Sequence, residues 1–328
     1  MPALSENVDA IIYALVTCAM MGLDHGMADQ VRQSRPVIAI VWMLITGILF
    51  VCVTAVVKYV GGDMPAPESA FLRYLLGLVF LIPMIRPMIK AGMSINALKL
   101  FGIRGATHSF GVMLWFYAMT QIPIAEVTSM GYLTPVFVTI GAALFLGERL
   151  AARRMIAIGF ALMGALIILR PGFREVSGGH LAMLANGLFF ATSYLIAKIM
   201  ADRVPAAVVV GWLSIIVTIT LAPFAYAVWV WPTMEQLAWL FLVAALATAG
   251  HFTMTLALSA APITVTQPVT FLQLVWATTL GAVVFMEPID AWVIAGGVLI
   301  LGSVSFITWR EAMLKRRAIT PPVVATKV

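Results

Sequence analysis

The chain alternates long apolar runs with short polar connections. The runs occupy 37–60, 67–86, 100–120, 124–146, 153–170, 179–201, 206–231, 236–259, 263–286 and 290–310. Each is close to the roughly 20 apolar residues that a helix needs to cross the hydrocarbon core of a bilayer. The connections carry turn formers and charges, as at Gly61-Gly62-Asp63 and Arg170-Pro171-Gly172, and such short links suit a compact bundle. Lipid satisfies no backbone polar group, so a spanning segment is a helix or part of a closed barrel. These runs are too continuous for the alternation of barrel strands. The pattern predicts an all-α polytopic membrane protein with ten transmembrane helices.

The second half of the pattern repeats the first. Met43, Leu44, Gly47, Phe50 and Lys58 recur as Met183, Leu184, Gly187, Phe190 and Lys198, and Pro65 and Pro83 recur as Pro205 and Pro223. After a slip of one residue, Pro123, Ile124 and Glu148 recur as Pro262, Ile263 and Glu287. Each copy has room for five helices. Five is odd, so the second copy enters the membrane from the opposite face, giving two inverted five-helix repeats over 37–172 and 173–311. Like units in opposite orientation are the frame on which many transporters build alternating access.

Composition agrees. The chain of 328 residues is 62% apolar and 10% charged, with mean hydropathy +1.03, whereas a soluble domain carries about 25% charged residues. The net charge of +6 does not mark a nucleic-acid binder, because the basic residues sit between apolar runs rather than on one face. They act as topology signals. With the N-terminus in the cytoplasm, Arg32, Arg35, Arg86, Lys90, Lys99, Arg104, Arg149, Arg153, Arg154, Lys198, Arg203 and the tail cluster around Lys315 all fall on the cytoplasmic side. The other side receives Lys58, Arg170 and Arg174, together with Asp63, Glu68, Glu126, Glu175, Glu235, Glu287 and Asp290. Both termini are therefore expected in the cytoplasm, and the inner membrane is the expected location. Cys18 and Cys52 match no disulfide or metal spacing, and no motif calls for a cofactor or a metal.

Residues 1–36 form an expected cytoplasmic segment. Ile11–Leu23 is apolar but too short to span, and it lacks the basic n-region and cleavage site of a signal peptide. Met27 opens a polar, basic stretch and is a candidate true translation start; Met1 with a surface-lying apolar segment is the alternative. Residues 312–328 form an expected cytoplasmic tail.

Polar groups inside spans are functional candidates by default. Thr46, Phe50 and Thr54 match Asn186, Phe190 and Tyr194 at i, i+4, i+8 in the first helix of each copy. Each trio lies on one face. Asn186 and Tyr194 are read as cavity-lining residues, and Thr46 and Thr54 as interhelical glue. His108 and Trp115 share a face of the third run. His108 and His251, with Glu126, are the candidate carriers if transport is coupled to protons, although a spanning His is more often a satisfied hydrogen-bonding residue. Trp115 either stacks on a flat ligand or fills space. Tyr132 in the fourth run, with Gln267 and Gln273 in the ninth, offers donors and acceptors beside aromatic rings. Pro135 and Pro268 free carbonyls within the same runs. Arg73 is read as facing substrate, as paired with Glu68 or Glu126, or as snorkelling outward. Glu148 and Glu287 read as caps, His25 and His180 as loop residues without a role. Ala157, Ala161 and Ala165, and Ala291 and Ala295, have close-packing spacing and would also suit a homodimer face; a monomer is the other reading.

Several of these segments resemble the EamA type of ten-helix drug/metabolite transporters across roughly residues 37–311. The resemblance is carried by Ala70-Phe71-Leu72-Arg73-Tyr74, Trp115-Phe116-Tyr117-Ala118, Pro123 through Pro135, and Ala142-Ala143-Leu144-Phe145-Leu146-Gly147-Glu148. The second copy departs at the last of these, where Met286 precedes Glu287 and Pro288 follows. The resemblance implies secondary transport of a small metabolite through a central cavity built by both repeats. The aromatic third run looks like the branch that includes S-adenosylmethionine and riboflavin uptake proteins, which implies a heterocyclic substrate; export of amino acids or related metabolites is the alternative. An intramembrane enzyme would need a positioned nucleophile or metal set, and neither His-Glu-x-x-His nor Gly-x-Ser-x-Gly occurs. No Walker loop and no ring of repeated charges of a channel filter is present.

Overall fold

The computed structural model describes residues 35–90, 94–145, 151–201, 204, 206–261 and 263–319. Met27, Cys18, Glu148 and the final tail residues, on which several expectations fall, lie outside them. The described residues form helices with no strand: α1 (Pro36–Val60), α2 (Ala66–Gly77), a 3-10 stretch (Leu78–Met84), α3 (Ile85–Lys90), α4 (Ile95–Gln121), α5 (Ile124–Gly131), α6 (Thr134–Phe145), α7 (Ala152–Leu169), α8 (Gly178–Ala201), α9 (Ala206–Ala227), α10 (Met234–Ala260), α11 (Ile263–Thr266), a second 3-10 stretch (Gln267–Thr270), α12 (Phe271–Val284) and α13 (Ala291–Ile319).

Each of the ten apolar runs is helical, but three are broken at prolines. A proline lacks the N–H and crowds the carbonyl four residues earlier. Pro135 lies four residues after Gly131, where α5 ends; Pro268 lies four residues after Thr264, and there the helix tightens to 3-10; Pro83 sits in the other 3-10 stretch. Pro223, the counterpart of Pro83, is carried inside an unbroken α9. Seven helices among the described residues are long and apolar enough to cross a membrane, with Phe271–Val284 apolar but only 14 residues long. Helix α4 has the length at 27 residues but carries Arg104, His108 and Ser109 inside it. Length and apolarity alone thus support a multi-pass membrane protein without fixing the count at ten.

Helix α7 shows how such a segment packs. Its inward face is Ala157, Ala161, Gly164, Ala165 and Ile168, all buried, and its outward face is Ile156, Phe160, Met163 and Leu166, all exposed. Bulky apolar groups point toward lipid and small ones toward the partner helix, as expected where lipid gives no hydrophobic drive to helix association. The partner is α13. A Cβ on Gly164 would fall 2.7 Å from the Gly296 carbonyl oxygen, and one on Gly296 would fall 2.5 Å from that of Gly164. The small residue of α13 at this contact is therefore the buried Gly296, and not the expected Ala291 and Ala295, which are exposed.

The same pair gives the relative direction of the two halves. Arg154 near the start of α7 pairs with Glu311 late in α13 at 2.8 Å, and Arg170 just after α7 pairs with Asp290 just before α13. These equivalent helices, the fifth and tenth runs, are antiparallel, so the repeats are inverted. Much of the remaining packing obeys a two-fold exchange. Helix α1 packs on α10 as α8 packs on α4; α1 packs on α12 as α8 packs on α6; α10 packs on α2 as α4 packs on α9.

Two measurements check this frame. Cysteines placed at Phe173 and Met313 should react with a membrane-impermeant thiol reagent from opposite sides. Gly164→Val should lower thermal stability in detergent by about 1–3 kcal/mol, the usual cost of overpacking, whereas the exposed Ile156→Val should leave it unchanged.

Candidate functional site

The two-fold relation extends to single side chains near the middle of the bundle. Phe190 lies over Gly111 and Phe50 over Gly250: a Cβ on these glycines would fall 2.5 Å and 3.4 Å from the respective rings. Likewise Phe137 lies over Gly187 and Trp276 over Gly47, at 2.7 Å and 2.9 Å. Each aromatic ring occupies the space that the missing side chain leaves, which brings α4 to α8 and α1 to α10 at close range.

Around this frame gathers a polar constellation at the centre of α4. His108, the middle residue of that helix, has Nδ1 3.2 Å from Ser193 Oγ and Nε2 3.1 Å from Tyr74 Oη. Its ring stacks on Phe190 at 4.8 Å, and Phe190 neighbours Tyr194 at 6.0 Å. The Arg73 guanidinium lies 4.0 Å from the centre of the Tyr74 ring, within the range of a cation–π contact. One turn below His108, Arg104 Nη1 donates to the Val209 carbonyl at 3.0 Å. His251 meets Phe50 edge-on at 5.2 Å. The sequence-predicted residues Arg73, His108 and Tyr194 therefore fall into one group through Tyr74 and Phe190; Arg104, first counted with the flanking topology residues, lies one turn from His108 on the same helix, and His251 stands against Phe50.

Other candidates lie apart. Asn186 is buried and donates its amide to the Gly111 carbonyl at 2.8 Å, while Thr46 and Thr253 share a hydroxyl–hydroxyl hydrogen bond of 2.8 Å. Trp115 packs against the central core and meets Phe116 edge-on at 6.0 Å. Tyr132 donates across the bundle to the Thr270 carbonyl at 2.9 Å, which ties the two proline breaks together. Gln273 sits beside Trp276 at Gly47. The Gln267 side chain lies outside the described residues.

A cavity of about 420 Å³ lies below the central group. Its walls include Pro135, Thr139, Arg154, Tyr194, Thr308 and Glu311. Tyr194 belongs to both the cavity wall and the central group. The cavity lies at the end of the bundle that carries the Arg154–Glu311 pair.

The opposite end is tied by polar clusters that the sequence reading missed in part. Glu126 is buried and accepts both terminal nitrogens of Arg174, at 2.9 and 2.7 Å, the two-pronged geometry that makes arginine–carboxylate pairs strong. Hydrogen bonding to Glu126 holds the Arg174 guanidinium above its ordinary pKa. Far from being an idle loop residue, His180 is buried and puts Nε2 2.6 Å from Glu126. The Ser177 N–H donates to His180 Nδ1 at 3.0 Å, so in the neutral ring Nε2 carries the proton that Glu126 accepts. Lys58 pairs with Glu287 at 2.7 Å and donates to the Ile122 carbonyl at 2.9 Å. Glu287 also caps α5 by accepting from the Ile124 N–H at 2.9 Å. The expected cap is there, but it caps a helix of the other repeat. Glu68, a suggested partner for Arg73, instead accepts from the Val230 N–H at 2.9 Å.

Residues 37–170 and 177–309 each match the EamA-like transporter family. A riboflavin transporter of Rhizobium johnstonii is 28% identical over 291 residues, 88% of this chain and 96% of its own length. An S-adenosylmethionine uptake transporter of Rickettsia bellii is 25% identical over 281 residues, 85% and 97% of the two chains. The pseudopaline exporter CntI of Pseudomonas aeruginosa is 25% identical over 256 residues, 77% and 89%. A solved crystal structure superposes with TM-score 0.54 at 20% identity, covering 84% of this chain and 96% of that one, which supports the fold alone. With both halves matched by one family and packed as inverted copies, the chain belongs to the EamA-like transporter family.

Proposed function

We propose that this protein is a secondary transporter of the cytoplasmic membrane that carries a small heterocyclic metabolite, of the class of riboflavin or S-adenosylmethionine, by rocking two inverted repeats about a midplane site. Both termini are assigned to the cytoplasm from the Lys and Arg bias. The observation that carries the reading is the central group at His108, Phe190 and Tyr194, which joins polar atoms and ring faces where the repeats meet. Names of relatives covering most of the chain support the substrate class. The similarity to a pseudopaline exporter favours a second reading, export of a related small metabolite.

Lys58–Glu287 and Glu126–Arg174–His180 tie the end assigned to the outside, where a cavity of about 320 Å³ lies beside Glu126, Arg174 and His180, and the cavity at Tyr194 lies toward the other end.

In proteoliposomes, uptake of radiolabelled riboflavin or S-adenosylmethionine should exceed that of protein-free vesicles. Equal flux in both, in either direction and for every metabolite tried, would sink the reading. Glu287→Gln removes the charge that holds Lys58, so a cysteine at the buried Ile122 should react with an external thiol reagent several-fold faster in that background. For coupling, a proton carried at His108 would make uptake pH-dependent and His108→Ala would flatten the profile; an unchanged profile removes His108 from that role.

A further inference from the structure

The packing of the bundle centre is two-fold symmetric and its charge is not. The glycine–aromatic pairs recur in both halves, but the counterparts of Arg73, Arg104 and His108 are Leu213, Val243 and Ala247. A purely structural polar network would be expected to follow the packing it serves. Both buried arginines come from the first half.

These cations are also left without a counter-charge. Arg73 and Arg104 are 7% and 6% exposed, yet no described carboxylate pairs with either. Glu68 is engaged by the Val230 backbone, Glu126 by Arg174 and His180, and Glu287 by Lys58. Arg73 makes no hydrogen bond to any described residue; the Tyr74 ring is its one partner. Its Nε and that of Arg104 are sealed from solvent without an acceptor. Desolvating a cation is costly unless an anion repays it. The guanidinium presents donors in a planar fork that fits carboxylate and phosphate oxygens in pairs. Nearby stand the Tyr74 and Tyr194 hydroxyls and the Phe190 ring, all tied to the same group.

We infer that Arg73, supported by Arg104, forms a built-in anion site at the bundle centre and that the transported molecule carries a carboxylate or phosphate group that docks there. The inference rests on the transport reading and narrows it. Of the two compound classes above, S-adenosylmethionine carries such a carboxylate and riboflavin carries no charge. The ring of the ligand would lie toward Phe190 and Tyr194, and its anionic group toward Arg73.

The test is ligand-induced thermal stabilisation of the purified full chain in detergent. The probes are matched pairs differing in one anionic group: S-adenosylmethionine and its decarboxylated form, flavin mononucleotide and riboflavin, and a set of amino acids and nucleotides with their amides and nucleosides. Inorganic phosphate alone is run beside them. The expected result is stabilisation by anionic members, with affinity falling about tenfold or more in Arg73→Gln, the scale of one lost charge-assisted hydrogen bond. Arg73→Lys should restore part of it. Arg104→Gln serves as a second variant, and each must elute as a single species with an unliganded melting temperature near that of the parent.

Stabilisation by neutral members equal to that by their anionic partners overturns the inference. So does a preference that survives Arg73→Gln in folded protein, or a panel in which no anionic member binds. Stabilisation by inorganic phosphate as strong as by the organic anions would make the site one for a free ion and overturn the substrate assignment. Parallel flux assays separate the two levels: riboflavin uptake untouched by Arg73→Gln overturns the anion site while transport stands, and Arg73-dependent anion binding without flux of any compound supports the site while the transport reading falls.

Discussion

Helices in lipid gain little by hiding apolar surface from one another, because the acyl chains outside are as apolar as a leucine. What holds this bundle is therefore shape: rings laid into the gaps where side chains are missing. Phe190 on Gly111 and Phe50 on Gly250 fix the crossings of α8 with α4 and α1 with α10, and Phe137 on Gly187 and Trp276 on Gly47 those of α6 with α8 and α12 with α1. Gly164 on Gly296 sets the antiparallel contact of α7 and α13 at backbone distance. Bulky residues such as Phe160 and Met163 face outward because they cost nothing there and would hold the helices apart inside.

In this frame the main helix contacts between halves have counterparts in which the roles of the halves are swapped. The polar ties differ between the two ends. Lys58 bound to Glu287, and Glu287 bound to the first turn of α5, join the first, fourth and ninth runs at one end.

Much of the frame was legible in the sequence because it is periodic. Runs of spanning length show the helices, the recurrence of Gly47, Phe50 and Lys58 shows the repeat, and Pro135 and Pro268 foretell the breaks. The buried Ala157, Ala161 and Ala165 follow from their spacing, whereas Ala291 and Ala295 share a similar spacing and yet face outward, since spacing names a face without saying which way it points. Partnerships across the chain left no such trace. Glu126 and His180 are 54 positions apart, and nothing local in either segment marks the other. Arg104 looked like one more basic residue flanking a span because apolarity falls off around it; in the fold that loss marks a polar interior.

That last case shows where a repeat is most informative. Residues kept in both halves, such as Gly47 with Gly187 and Phe50 with Phe190, are those the packing requires, and the structure uses them in matching ways. Residues present in one half only are not demanded by the shared architecture. Arg73, Arg104, His108 and His180 all stand opposite apolar counterparts, and all four are buried. His180 and its carboxylate close one end, while the other three gather at the centre beside the rings. Burial of a cation is tolerated in a membrane protein where some partner compensates it. At Arg174 that partner is Glu126; at Arg73, among the described residues, only the face of Tyr74 is offered, and a ring quadrupole is a weak substitute for a full negative charge. The breach of symmetry and the shortage of counter-charge thus meet at one guanidinium.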